Sequence, residues 1–214
     1  MDKVIKIEKP KVSLNLEEIN SIYNEVYNEE KIVDKLIENT DISDINHISV
    51  SIDSCIFKNV NFYDCDFSKI DLLDVIFENC DLSNINFNDS SIYRVEFKNC
   101  KLIGCSFNDN IMKNVLFKDC IAKYSNFSFS KLKNVGYKDS NLENSVFQEI
   151  INEGIIFDNS NLKESNFHKS KLKGIDFTTS NIENIEVGIE EVKEAIFNVT
   201  QALDLTRLMK IIIK

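Results

Sequence analysis

Large apolar residues recur at every fifth position along this chain. From Phe57 the count falls on Phe62, Phe67, Leu72, Phe77, Leu82, Phe87, Ile92, Phe97, Leu102, Phe107, Met112, Phe117, Ala122, Phe127, Leu132, Tyr137, Leu142 and Phe147. It meets a polar residue at Asn152, resumes at Phe157 and continues through Leu162, Phe167, Leu172, Phe177, Ile182 and Val187. Upstream it passes through Ile52, His47 and Ile42. A helix needs apolar residues about 3.6 apart and a strand needs alternation. A period of five that never slips is neither, and it marks a repeat architecture.

Two further positions keep the same beat. Two residues before each centre stands a small or β-branched residue, as at Val60, Cys65, Ile70, Val75, Cys80, Ser125, Ser130 and Ser165. Two residues after it stands mostly Asn, Asp or Gly, as at Asn59, Asp64, Asp74, Asn79, Gly104 and Asn114. These are turn formers that tolerate left-handed backbone. Each five-residue unit therefore reads as a short extended face followed by a tight corner. Side chains two apart on one strand face point the same way, so both ordered positions face inward. Four units close a square coil of about twenty residues, and coils stack about 4.8 Å apart through sheet-type hydrogen bonds. Phe occupies nearly every second centre and Leu or Ile the rest, which places aromatic stacks on two opposite walls.

The motifs CDLSN (80–84), INFND (85–89), SNLEN (140–144), SNFHK (165–169) and IDFTT (175–179) resemble units of the pentapeptide-repeat family. The resemblance implies an all-β fold, a right-handed quadrilateral β-helix, with small helical terminal caps. The expected organisation is an N-terminal cap over 1–39, a solenoid of about seven coils over 40–188 and a C-terminal segment over 189–214.

The ends depart from the repeat. Lys3–Val12 alternates enough to predict a short strand adding to the first coil, and Asn15 with Glu18 resembles a capping box. Leu16, Ile19, Tyr23 and Val26 follow helical spacing, so a covering helix is expected there. At the other end AIFNV (195–199) reads as a strand, and Thr200 would cap a helix carrying Ala202, Leu205, Leu208 and Met209 on one stripe. Ile211–Ile213 reads as a closing strand. Similarity to the quinolone-resistance group of the family implies that this segment builds a two-fold homodimer, with Ile196, Phe197, Leu205, Leu208 and Met209 at the interface.

Composition narrows the function. Cys55, Cys65, Cys80, Cys100, Cys105 and Cys120 all take the small inward position, so they read as packing rather than as metal ligands or disulfides. His47 and His168 lie far apart, and no catalytic constellation, phosphate loop, metal cluster or cofactor motif can be assembled. The expectation is a protein that is not an enzyme and binds no cofactor. Asn152 predicts a local bulge or an opened coil, and Tyr124 is expected to fill the volume that Ala122 leaves. The N-terminus carries no secretory pattern and no stretch approaches a membrane span, so a cytoplasmic protein with no membrane contact is expected.

The net charge is −10, which argues against direct nucleic-acid binding. Some relatives bind DNA gyrase or topoisomerase IV as acidic mimics of duplex DNA, and the resemblance carries that role here as an alternative, with quinolone protection. Arg94, Lys98, Lys101, Lys113, Lys118, Lys123, Lys131, Lys133 and Lys138 form a basic belt across the middle that works against such mimicry. A different outward feature is apolar: Ile56, Ile76, Leu116 and Ile156 share one column, interrupted by Glu96 and Gly136. Exposed apolar surface of this kind marks a candidate partner site, unless the N-terminal helix covers it. The leading expectation is a dimeric scaffold that binds a protein partner.

Overall fold

A computed structural model describes residues 5–28, 31–46 and 50–210. Every fifth residue turns a corner in left-handed backbone, and this is what closes the coil. Asn59, Asp64, Lys69, Asp74, Asn79, Asn84, Asp89, Arg94 and Asn99 all have φ between 49° and 63°. The series continues to Gly174, with Gly104 and Gly154 filling two of the places before it. Asn and Asp enter this region at low cost because their side chains bond the local backbone. Arg94, Tyr124 and Phe129 have no such aid, and their geometry is imposed by the coils above and below.

Strands β1 (Glu17–Ile19), β2 (Ile32–Val33), β3 (Lys35–Ser43), β4 (Ser51–Asp53), β5 (Ile56–Tyr63), β6 (Asp71–Glu78), β7 (Ser91–Lys98), β8 (Ile111–Lys118), β9 (Lys131–Lys138) and β10 (Ile151–Asp158) form one parallel sheet. Apart from β1, whose partners on β3 lie eighteen residues on, partners are twenty residues apart, as in Val75↔Val95 and Phe97↔Phe117. From β6 to β10 each strand bends around one corner and covers two faces. Face A holds the centres Leu72, Ile92, Met112 and Leu132, and face B holds Phe77, Phe97, Phe117, Tyr137 and Phe157. Faces C (Leu82, Leu102, Ala122, Leu142) and D (Phe87, Phe107, Phe127, Phe147) are joined by single parallel bridges such as Asp81↔Lys101 and Asn86↔Ser106. The register starts before residue 40, because Ile32 pairs with Ile52 and Ile37 with Phe57.

The core is a filled shaft. On face B, Phe97 stacks on Phe117 at 4.9 Å and 3°, and on face D, Phe107 stacks on Phe127 at 5.0 Å and 2°. The two opposed stacks meet edge-on across the interior, Phe107 to Phe117 at 5.9 Å and 79°. Both geometries suit aromatic quadrupoles. The small inward position does more than fill space. Ser125 Oγ donates to the Leu102 carbonyl at 2.7 Å, Ser130 Oγ to Phe107 at 2.7 Å and Cys105 Sγ to Leu82 at 2.9 Å. Ser and Cys recur there because each ties its coil to the carbonyl of a centre in the coil before. Tyr137 buries its hydroxyl without a partner, and burial pushes its pKa well above the ordinary tyrosine value. Tyr124 is exposed and does not fill the space beside Ala122. Asn152 is half-buried. It accepts from Gly154 N–H at 3.0 Å and donates to the Lys173 carbonyl at 3.3 Å, where the wall opens.

The ends differ from the expectation. Residues 17–19 form β1 on β3 rather than helix. Ile19 packs against the core in that strand, and the pairing covers the first edge of the sheet. The helix is only α1 (Tyr23–Tyr27), entered at Ile22 without a side-chain cap, and Ile22 and Val26 plug the open end. At the other end only Ile196 of the expected strand is bridged, to Asp176. Helix α2 (Val199–Leu205) is capped by Asn198, not Thr200, in a reciprocal pair with Gln201, and a 3-10 turn follows over Thr206–Met209. Gln201 is buried and its amide donates to the carbonyls of Phe177 and Ser180, both at 2.8 Å. His47 and the expected strand at 211–213 lie outside the described residues.

Two outcomes follow from the shaft. Phe117→Ala removes a ring from the stack and should cost about 3–5 kcal/mol in chemical denaturation. All six cysteines are free and buried. Burial pushes Cys55 up to about 11, and the bond with Cys120 together with burial carries Cys100 to about 12. Because the thiolate is the reactive form, a disulfide reagent at pH 8 should label no cysteine in the folded protein and six after denaturation.

Candidate functional site: the strap-covered edge between faces A and B

The apolar column read as a candidate partner site lies beside an extended N-terminal segment rather than under a helix. Ile56, Ile76, Leu116 and Ile156 are half-buried on face B, and residues 5–13 lie along the neighbouring corner as an extended strap. The strap neither adds a strand to the first coil nor forms a helix. Ser13 N–H donates to Ser54 Oγ and Lys11 N–H to Asp74 Oδ1, both at 2.8 Å. Farther along, a Cβ on Gly136 would stand 2.6 Å from Ile7 Cδ1, and one on Gly154 would stand 3.5 Å from Ile5 Cδ1. The distances agree with an extended chain running along the solenoid axis. Eight residue steps span about 26 Å, and five coils span about 24 Å. The strap cannot join the ladder, since it crosses the strands instead of running beside them.

The alternation in the strap matches the surface beneath. Ile5, Ile7 and Val12 are half-buried while Lys6, Glu8, Lys9 and Lys11 face out. Gly136 interrupts the apolar column and thereby opens a notch that Ile7 fills beside Leu116. The sequence signal was present in both halves, the alternation at one end and the missing side chain at 136. Nothing in the sequence placed one against the other.

Below the strap lies the most buried ion pair of the outer wall. Arg94 grips Asp74 with two bonds, Nε to Oδ1 at 2.6 Å and Nη2 to Oδ2 at 2.5 Å. Burial works to raise the Asp74 pKa. The Arg94 bonds, the Lys11 N–H and both positive charges outweigh it, and the carboxyl sits below its ordinary value. The Arg94 ring contact with Tyr93, 4.2 Å to the centroid, fixes the guanidinium from its other side.

The expected basic belt does not encircle the solenoid. Lys101 and Lys123 alone stand on face C, each paired vertically, to Asp81 at 3.2 Å and to Glu143 at 3.0 Å. The other bases of that stretch stand on faces A and B or on their shared corner, flanking the strap. The sequence separates them by coil, and the fold groups them by face.

At the C-terminal end the expected interface residues divide. Phe197 stacks on Phe177 at 5.3 Å and Leu205 packs against the core, so both serve this chain's own cap. Leu208 is half-buried, while Ile196 and Met209 are exposed. Val199 at 78% and Leu203 at 52% exposure join them as apolar residues facing out. Among the described residues no group of three His, Cys, Asp or Glu side chains is arranged to hold a metal, and no helix is long and apolar enough to cross a membrane.

The Asp74 link should be acid-labile. A carboxyl depressed in the folded state contributes stability above its unfolded value of about 4, and loses it as pH falls through the folded pKa. Hydrogen-exchange protection at the Lys11 amide should therefore be intact at neutral pH and collapse on acidification. In Asp74→Asn it should be reduced at every pH.

A trypsin-treated form of QnrB1, a plasmid-mediated fluoroquinolone resistance protein, aligns over 86% of this chain and 95% of its own, with 23% identity and a TM-score of 0.54. HetL, a pentapeptide repeat protein involved in heterocyst differentiation regulation from Nostoc sp. strain PCC 7120, aligns over 83% and 94%, with 11% identity and a TM-score of 0.36. No curated protein matches the sequence. The family model for the pentapeptide repeat region matches residues 50–127 and 90–167. With more than half of its length matched and its corners recurring every five residues, the chain belongs to the pentapeptide-repeat family.

Proposed function

We propose that this protein is a non-enzymatic, cytoplasmic scaffold that forms a homodimer through its C-terminal end and presents its outer faces to a protein partner. One observation carries the reading: the last turns leave Val199 and Leu203 exposed on α2, with Met209 exposed beyond it, after Gln201, Phe197 and Leu205 have already closed the shaft. Val199 and Leu203 lie four apart on α2 and share a side. A cap that served only its own chain would turn these residues inward. Interfaces between copies are commonly two-fold, with one patch meeting itself. The thiols support the non-enzymatic reading, because the cysteines are sealed in the core.

A second reading has the net charge of −10 in its favour: an acidic rod that occupies the DNA site of DNA gyrase or topoisomerase IV. Faces C and D suit it better than A and B, where the lysines gather. A supercoiling assay with and without quinolone decides it, and no effect at micromolar protein dismisses it.

Sedimentation equilibrium tests the dimer directly. The expected mass is twice the chain's 24.7 kDa, and Leu203→Asp with Met209→Asp should return it to one chain without changing the melting temperature. A single-chain mass for the unaltered protein would remove the dimer.

A further inference from the structure

The strap occupies a groove as a ligand would. Its two backbone donors go to side chains of the wall, Ser54 and Asp74, and its apolar side chains Ile7 and Ile5 lie over Gly136 and Gly154. None of these contacts belongs to the shaft, so the coils do not depend on the strap for their core. Just beyond it Leu14 is fully exposed, which leaves the strap tethered at a solvated joint.

Its charge is poorly matched at the far end. Lys6 lines a cavity of about 610 Å³ together with Lys133 and Lys173. Glu153 is the carboxylate in that wall, engaged by Lys131 at 2.8 Å and Lys133 at 3.7 Å, and Glu194 beside it holds Lys173 at 2.7 Å, so two carboxylates serve three lysines before Lys6 adds a fourth positive charge. Like charges so placed repel, and the strap stays by apolar fit and by its tether. A tethered segment competes at an effective concentration near the millimolar range, which is enough to hold a fit of moderate quality.

We propose that the edge between faces A and B is a docking groove for an extended segment of a partner protein, and that the strap holds the groove closed until that segment displaces it. The strap is the template for the occupant. Two branched apolar side chains, spaced as in Ile5 and Ile7, enter beside Gly154 and into the Gly136 notch. Backbone N–H groups meet Asp74 and Ser54. A carboxylate stands where the strap has Lys6, facing Lys133 and Lys173. This deepens the scaffold reading and rests on it, but peptide titration and the mass measurement fail independently.

The probe is a labelled synthetic peptide with the sequence of residues 1–13 carrying Lys6→Glu, compared with the unaltered sequence. Each is titrated by fluorescence anisotropy against the full chain and against Ile5→Ser/Ile7→Ser, which loosens the strap without adding charge or touching the shaft. Occupancy by the strap reduces apparent affinity by the fraction of open grooves. The acidic peptide should therefore bind the loosened variant at least tenfold tighter than the unaltered chain. It should bind that variant at least threefold tighter than the lysine peptide does, with the difference shrinking in 0.5 M salt. Adding Gly136→Leu to the loosened variant fills the notch and should abolish the gain, with the melting curve unchanged. No gain on loosening the strap would overturn the proposal. Equal or tighter binding of the lysine peptide would also overturn it, and would identify the occupant as the strap of a second copy.

Discussion

The structure depends on a left-handed corner repeated at a fixed interval. Each such corner costs ordinary residues of order 1 kcal/mol, and a single one would be unremarkable. Their regular spacing makes every coil the same length, and equal coils are what allow residues twenty apart to pair along the axis. The ladder then over-determines the corners in return. Arg94, Tyr124 and Phe129 hold positive φ because the backbone hydrogen bonds on both sides leave them no alternative. Local conformation and long-range pairing support each other, and such agreement across levels is what makes a repeat sequence foldable.

The interior extends the same logic to side chains. Rings stack at the coil spacing, and the small residues beside them are selected for a donor as much as for size. A Val at that position packs, while a Ser or Cys also ties one coil to the carbonyl of another. This explains why Ser predominates toward the later coils without weakening them. It also sets the cysteines apart from redox or metal chemistry, since their sulfurs are committed to the backbone, as Cys120 is to the Phe97 carbonyl at 3.3 Å.

Much of this was legible in the sequence, because the period of five is a one-dimensional signal. The spacing of Phe77, Phe97 and Phe117 alone puts them in one stack, and the same count picks out the corner residues. The parts that could not be read are those fixed by contacts without a period. The alternation of Ile5, Ile7 and Val12 predicted extended chain, but a strand along the axis and a strand in the first coil look alike in sequence. The spacing of Leu16, Ile19, Tyr23 and Val26 was helical, yet the free edge of β3 claimed residues 17–19 as a strand. The bases between 90 and 138 looked like a belt because position in the chain was visible and face was not. At the C-terminal end, hydrophobic residues were recognisable, but which of them the shaft would consume was not, and Phe197 and Leu205 went to the cap.

Gln201 has a consequence for how long the object can grow. A stack of identical coils is the start of a fibril, with every level exposing carbonyls and amides that invite the next. The side-chain amide of Gln201 bonds the Phe177 and Ser180 carbonyls, the groups an incoming coil would have bonded. One residue thus supplies a chemical stop at those two carbonyls of an otherwise open-ended stack.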